Sequence, residues 1–243
     1  MRSQWIKYGS VSSTNTTLLE LMKQQTLDEG TLLTADYQEG GRGYGDHSWQ
    51  SKKGENLLMS LLLFPAFLSA KRQFHISRVA ALALCDVLEE LGVDPIIKWP
   101  NDILIGKRKI AGILIENGIT AGKLSHSVIG IGLNLNQREF PAFPVPATSV
   151  CMETTKKVRV SEAGSRVADR LMSRYQGLKE GHAIALEQAY LDRLYQAGVS
   201  SVFISGDDRF EGTIRGVNEF GELMVESGTG IRSYGHGAIR LEL

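Results

Sequence analysis

The segment Val128-Ile-Gly-Ile-Gly-Leu-Asn-Leu-Asn136 limits what this 243-residue chain can fold into more than any other stretch of it. Side chains alternate sides along a strand, so Ile129, Ile131, Leu133 and Leu135 share one face while Gly130, Gly132, Asn134 and Asn136 share the other. The first face belongs to a hydrophobic core. The second is bare backbone ending in amides. Glycine inside a strand costs conformational entropy and packs nothing, so two on one face are either accidental or mark a place where something approaches the backbone closely. In the second case they form a floor for a flat or ring-shaped ligand, with Asn134 within reach of a phosphate or its metal.

Around this strand the chain alternates helical and extended patterns. Ser13 to Gln25 reads as a helix capped by Ser13 or Thr14, with Leu18, Leu21 and Met22 on one face. Gly30 to Tyr37, Asn56 to Phe64 and Ile110 to Glu116 read as further strands, the last joined to Val128–Asn136 by a turn-like Asn117 to Lys123. Ser77 is placed to cap an amphipathic helix carrying Ala80, Leu84, Val87, Leu88 and Leu91, and Gly92 to end it. A proline-rich passage, Pro141 to Pro146, precedes a helix capped by Ser161 with the stripe Ala163, Val167, Leu171, Tyr175 and Leu178; another helix runs from Ala183 to Gln196. From Gly198 the pattern changes to short strands between turns such as Gly206-Asp-Asp208, Asn218-Glu-Phe-Gly221 and Gly235-His-Gly237. The expected fold class is α+β: a body over residues 1–196 and a small β-barrel over 197–243.

Composition excludes more than it identifies. The 27 Lys and Arg balance the 27 Asp and Glu, which argues against a partner such as nucleic acid or an anionic membrane that rewards a basic surplus. The start of the chain carries no apolar signal core, and the longest apolar stretch, Leu57 to Leu68, is too short to span a bilayer and contains Pro65. Cys85 and Cys151 lack CxxC spacing and read as reduced thiols of a cytoplasmic protein. The 26 glycines exceed average usage by about nine. Four of them cluster at Gly40, Gly41, Gly43 and Gly45, and nine lie from Gly198 onward.

Three further segments carry chemistry. In Gln38-Glu-Gly-Gly-Arg-Gly-Tyr-Gly-Asp-His-Ser-Trp49, closely spaced glycines let backbone N–H groups approach an anion and Arg42 adds a charged fork; the alternative is an ordinary surface connection. The spacing fits neither the dinucleotide fingerprint nor a Walker loop. In Lys98-Trp-Pro-Asn-Asp102, Pro100 biases Trp99 to extended backbone and sets Asn101 and Asp102 in a turn, where their oxygens face a ligand or cap backbone. In Arg108-Lys-Ile-Ala-Gly-Ile-Leu-Ile-Glu116, Lys109 opens an apolar strand, where partial desolvation suits it to hold a negatively charged reacting group, and Gly112 interrupts that strand. The bland alternative is a surface lysine followed by a bulge glycine.

Taken in order, Ser13-Thr14-Asn15, Gly41-Arg42-Gly43 with Trp49, Lys98-Trp-Pro-Asn-Asp102, Lys109-Ile-Ala-Gly112 and Gly130-Ile-Gly-Leu-Asn134 resemble the biotin protein ligases over nearly the whole chain. The resemblance implies a mixed-sheet catalytic domain followed by an SH3-like C-terminal barrel. It implies a reaction in which biotin and ATP form biotinyl-5′-AMP, which is then transferred to a lysine of a biotin carboxyl carrier protein, the carrier domain of a biotin-dependent carboxylase. On that resemblance Ser13, Thr14, Gln38, Gly41, Arg42, Lys109, Gly112 and Gly132 bind biotin. Arg42, Tyr44, Trp49, Asn101, Asp102 and Asn134 bind ATP or the adenylate. Asn101, Asp102 and Asn134 neighbour Mg²⁺, and Lys109 with Arg42 is catalytic. No permanently bound cofactor is implied; a second copy of the chain, in a homodimer, is a further candidate partner.

The sequence also departs from the family's pattern. Arg or Gln commonly stands at the position of Tyr44, and a small or basic residue at Asp46, so the loop is expected to close through Tyr44 and Arg42 and hold the intermediate less tightly. The catalytic pattern begins by Ser13, so a DNA-binding domain like that of some members is not expected. The alternatives are a lipoate or octanoyl ligase of the same superfamily, whose Arg-Arg and Gly-Gly-Gly signature is missing, and a non-catalytic biotin or nucleotide sensor. The C-terminal barrel could also act as an independent protein-binding module.

Overall fold

The computed structural model describes residues 4–45, 47–228 and 230–242. Its centre is a long antiparallel hairpin of β6 (Arg108–Thr120) and β7 (Lys123–Leu133). Both turn residues, Ala121 and Gly122, have positive φ (50° and 75°), the backbone that matches the twist of a two-residue hairpin. The segment Asn117 to Lys123, expected as a connecting loop, is therefore mostly strand: Asn117 to Thr120 still pair with β7.

The hairpin occupies the middle of a seven-stranded sheet with β1 (Trp5–Tyr8), β2 (Leu32–Ala35), β3 (Leu57–Leu63), β4 (Pro95–Lys98) and β5 (Asp102–Ile105), in the order β1-β2-β3-β7-β6-β5-β4. Only β1 and β2 run parallel, so the sheet is mixed. Register places Ile113 opposite Ile131 and Ile115 opposite Ile129, with all four on the side of the main core. Against that face pack α2 (Phe74–Glu90), α4 (Val160–Lys179) and α5 (Ala183–Asp192). The stripe Ala163, Val167, Leu171, Tyr175 and Leu178 is buried as its spacing predicts. On the opposite face α1 (Thr14–Gln24) buries Leu18 with Leu33, Leu62 and Val128.

Several boundaries differ from expectation. α2 begins at Phe74 rather than at Ser77, because a 3₁₀ turn over Ala70–Arg72 feeds directly into it. Ser161 lies inside α4, which Arg159 precedes, and α5 stops at Asp192 rather than Gln196. Ser13 occupies the N-cap position of α1 but its side chain makes no capping hydrogen bond, which leaves the hydroxyl unused by the helix. β1, β4 and β5 have four residues each, too few for a periodic signal, and α3 (Val150–Thr154), capped by Ser149, has five.

Beyond α5 the chain forms a second, antiparallel sheet of β8 (Ser200–Ser205), β9 (Asp208–Val217), β10 (Leu223–Ser227), β11 (Gly230–Tyr234) and β12 (Arg240–Leu241), ordered β11-β10-β9-β8-β12. This is the small SH3-like module, with β11 and β12 at its edges. Arg78 ties it to the body. Only 2% exposed, its guanidinium donates to the carbonyls of Val217 at 2.9 Å and Asn218 at 3.2 Å and to Glu187 at 3.1 Å. A buried guanidinium without such partners would be costly, so the β9–β10 turn is held where it can accept them.

His75, fully buried beside Arg78, is kept neutral: burial, and then the charges of Arg78 and Arg72, lower its pKa from 6.5 to about 4, with Glu187 3.9 Å away on the far side. The unfolded chain takes up this proton near pH 6.5 and the folded one only near 4. The contribution is thus complete above the unfolded value and lost as pH falls through that window. Between pH 7 and 4.5 it amounts to about 2 kcal/mol. His75→Gln should therefore lose less stability than wild type over this interval, by roughly that difference in urea unfolding. Equal losses in the two proteins would mean that His75 is protonated in the native state.

Candidate active site

The open face of the sheet carries the site. From Gly112 to Glu116 and from Val128 to Gly132 the even-numbered positions point away from the main core, so Gly112 faces Gly132 across the strand pair and Leu114 faces Gly130, while a register shift at Ile110 brings Lys109 to the same side. Beyond the N-terminus of α1, which covers only Gly130, there is a cavity of about 620 Å³ between the sheet, that helix end, the glycine loop and the C-terminal sheet. Its size is that of a small-molecule site. A Cβ on Gly130 would stand 2.5 Å from Asn15 Oδ1, and one on Gly132 would overlap the indole of Trp49. The glycine floor is real, and Trp49 lies across part of it.

Most of the residues expected at the site line this one cavity: Ser13, Thr14 and Gln38 at one side; Arg42, Tyr44 and Trp49 on the loop; Asn101, Asp102, Lys109, Gly112 and Gly132 on the sheet. Gln38 accepts hydrogen bonds from the backbone and the hydroxyl of Thr14, at 2.8 and 3.0 Å. The loop folds back on itself, Arg42 bridging to Ser48 and Trp49 N–H donating to Gly41 O at 2.8 Å. Gly41 is buried beneath this closure rather than on the cavity wall, because a Cβ there would collide with the Trp49 carbonyl. Asp46 lies outside the described residues.

Asn134 departs from expectation. It is 3% exposed, away from the cavity wall, and its amide donates to Thr148 O at 3.0 Å. Asn136 likewise exchanges hydrogen bonds with the backbone of Val158. Both amides lie beyond the end of β7, where they hold the following loops instead of facing a ligand.

Lys109 is the central charge. Its Nζ lies 2.6 Å from Asp102 Oδ1, a close ion pair without hydrogen-bond alignment, and 5.6 Å from the ring centroid of Trp49. The side chains are 29% and 19% exposed, so the pair is partly dry. Backbone bonds to both sides of a loop, Lys109 N–H to Pro146 O and Thr148 N–H to Lys109 O, fix its position. Next to them on the wall, Lys98 has its pKa lowered, by burial first and then by Lys109, with Asp102 opposing. The Trp99–Pro100 peptide is cis, and the turn it shapes joins β4 to β5 and presents Asn101 and Asp102.

Two further residues, Glu116 and His236, enter the site without having been singled out in the sequence. Asn15 and Glu116 bind each other at 2.8 Å, and Glu116 also accepts from Arg42 at 2.6 Å. His236 closes the cavity from the C-terminal module, its ring edge-on to Tyr44 and Trp99. Burial lowers its pKa, against a weaker pull from Asp102, which favours the neutral imidazole. Trp99 Nε1 in turn donates to Gly221 O at 2.9 Å. The only sequence signal for His236 was its place between two turn glycines.

Residues 8–134 match the model of the biotin/lipoate A/B protein ligase family. The chain belongs to this family. It is 30% identical to the bifunctional ligase/repressor BirA of Bacillus subtilis over 96% of this chain and 72% of that one. It is also 30% identical to the biotin–[acetyl-CoA-carboxylase] ligase of Paracoccus denitrificans, covering 90% and 92% of the two chains. Its fold is similar to that of the biotin protein ligase from Aquifex aeolicus solved in complex with biotin and ATP, with a TM-score of 0.81, 27% identity and 98% of both chains covered.

If the glycine floor exists to seat Trp49, then Gly132→Val should displace that ring while leaving the sheet intact. In a background with Trp5 and Trp99 replaced by Phe, acrylamide quenching of Trp49 fluorescence should rise at least about twofold at unchanged far-UV circular dichroism. Unchanged quenching would show that the ring finds an equivalent place.

Proposed function

We propose that this protein is an ATP-dependent biotin protein ligase. The carboxylate of biotin attacks the α-phosphorus of ATP, pyrophosphate leaves, and biotinyl-5′-AMP forms. The neutral ε-amine of a carrier lysine then attacks the acyl carbon of the mixed anhydride; AMP leaves and the amine gives up a proton. A carboxylate does not react with an amine at neutral pH, so adenylation supplies the leaving group.

The observation that carries this reading is the position of Lys109 against Gly112, in the cavity that Ser13, Thr14, Gln38 and the Arg42 loop also line. A ring bound beside the Trp49 indole that lies over Gly112 and Gly132 brings its carboxylate tail, and the α-phosphate it attacks, to one ammonium. Charge that shifts between those groups during attack stays beside the same cation, the condition for electrostatic stabilisation of the transition state. Ser13, with its hydroxyl free of helix capping, and Thr14 offer hydrogen bonds to the ring, while Arg42 offers a fork suited to phosphate.

Mg²⁺ fits as an ion that arrives with the nucleotide. Among the described residues no cluster of three His, Cys, Asp or Glu side chains is arranged to cage a metal. The cavity wall does carry the Asp102 carboxylate and the Asn101 amide. Mg²⁺ is commonly held by one or two carboxylates together with substrate phosphates, which matches that donor set. When bound it would screen phosphate charge and stabilise departing pyrophosphate. The carrier is a biotin carboxyl carrier domain. Cys85 and Cys151, both buried and unpaired, suit a cytoplasmic setting.

The test is mass-detected biotinylation of a carrier domain with biotin and Mg·ATP, alongside biotin-dependent and lipoate-dependent ATP–pyrophosphate exchange. Exchange should require biotin. Lys109→Ala should slow it by about 10²-fold or more, the scale of removing one transition-state electrostatic group. Exchange supported by lipoate instead, or normal turnover in Lys109→Ala, would overturn the reading.

A further inference from the structure

Glu116 stands on the open face of β6, and its Oε2 accepts hydrogen bonds from two directions, Asn15 Nδ2 at 2.8 Å and Arg42 Nη2 at 2.6 Å. Asn15 is rigidly placed. It is 2% exposed, its Oδ1 accepts from the Ser60 hydroxyl at 2.6 Å, and its amide also donates to Leu114 O at 3.1 Å. The absence of a side chain at Gly130 makes room for it. Side chains and backbone of α1, β3 and β6 thus define where the Glu116 carboxylate sits.

Arg42 is held quite differently. It comes from the glycine loop, its side chain is 46% exposed, and its guanidinium makes no other hydrogen bond among the described residues. A guanidinium is a rigid planar fork of five donors, so tying Nη2 to a fixed oxygen pins one corner of the fork and leaves the other donors available. Because Arg42 lines the cavity, those donors belong to the site and not to the structure that supports it.

We propose that Glu116 is a positioning residue that orients Arg42, through a carboxylate fixed by Asn15, so that the free donors of its guanidinium meet a phosphate of ATP. The proposal rests on the ligase reading for the identity of the nucleotide. A half-exposed ion pair contributes little to global stability, so its purpose is better sought in the orientation of the fork. Glu116 does not itself reach substrate; it acts through Arg42.

The test is a double-mutant cycle on ATP affinity. Isothermal calorimetry with ATP and Mg²⁺ would be run on wild type, Glu116→Gln, Arg42→Ala and the double variant, with biotin titrated in parallel. Glu116→Gln should weaken ATP binding about tenfold, leave biotin affinity within about twofold, and have no further effect once Arg42 is absent. Glu116→Asp, which keeps the charge on a shorter arm, should recover part of the loss and serves as the second probe if the Gln variant does not fold. Additive effects would overturn the proposal. So would a loss confined to biotin that persists in the Arg42→Ala background, because Glu116 would then act only through Asn15. Absence of biotin-dependent pyrophosphate exchange in the wild type would remove the ligase reading, while the ATP-binding cycle would still decide the role of Glu116; absence of ATP binding would overturn both.

Discussion

The register of the β6–β7 hairpin is the constraint on which everything else depends. Because side chains alternate strictly, a slip of one residue would send Ile129 and Ile131 into the cavity and Gly130 and Gly132 into the core. The match of isoleucines across the pair, Ile113 with Ile131 and Ile115 with Ile129, opposes that slip, and a bulge at Gly118–Ile119 joins this register to that of the Ala121–Gly122 turn. Once the register is set, Gly112 must lie opposite Gly132 and beside Asp102 on β5, and Leu114 and Glu116 must follow on the same face. One alternation therefore produces the core on one side and the floor of the site, its carboxylates and its anchor on the other.

The second sheet completes the site and is not merely attached to it. Arg78 of α2 binds the carbonyls at Val217 and Asn218, and Trp99 of the β4–β5 turn binds the carbonyl at Gly221, so one short turn of the C-terminal module is fastened to the body from two elements. Phe74 packs directly under Gly221, where a side chain would collide with it. The same module sends His236 across to Tyr44. These contacts weigh against a freely moving protein-binding module: the turn that holds it in place also fixes the indole on the cavity wall.

What was legible in the sequence follows from range. The glycine–isoleucine alternation and the stripe of α4 are local patterns, and each appears where its period predicts. The five motifs converge because each carries its chemistry within a few residues. Glu116 and His236 were not legible, since their importance comes from Arg42, 74 residues from Glu116, and from Tyr44, which lies on the glycine loop at the other end of the chain from His236. Asn134 shows the opposite failure. Its alternation was extrapolated past the last paired residue, Leu133, and beyond the strand the period no longer says where a side chain points.

A neutral chain that handles phosphates must keep its cations at the site without a basic surplus to spare, and the cavity shows how. Each candidate phosphate-binding cation meets a protein carboxylate: Lys109 meets Asp102 and Arg42 meets Glu116. Both pairs are partly exposed, and such pairs are typically worth about 0–1 kcal/mol. That is enough to bias where a long side chain rests, yet little compared with what a multiply charged ligand gains from meeting two cations at once. Deeply buried pairs would hold the cations against the ligand, and no pairs at all would leave two like charges repelling across an empty site. The partial exposure of Asp102 and Glu116 is thus matched to their task, and it follows from their place on the part of the sheet face that α1 leaves open.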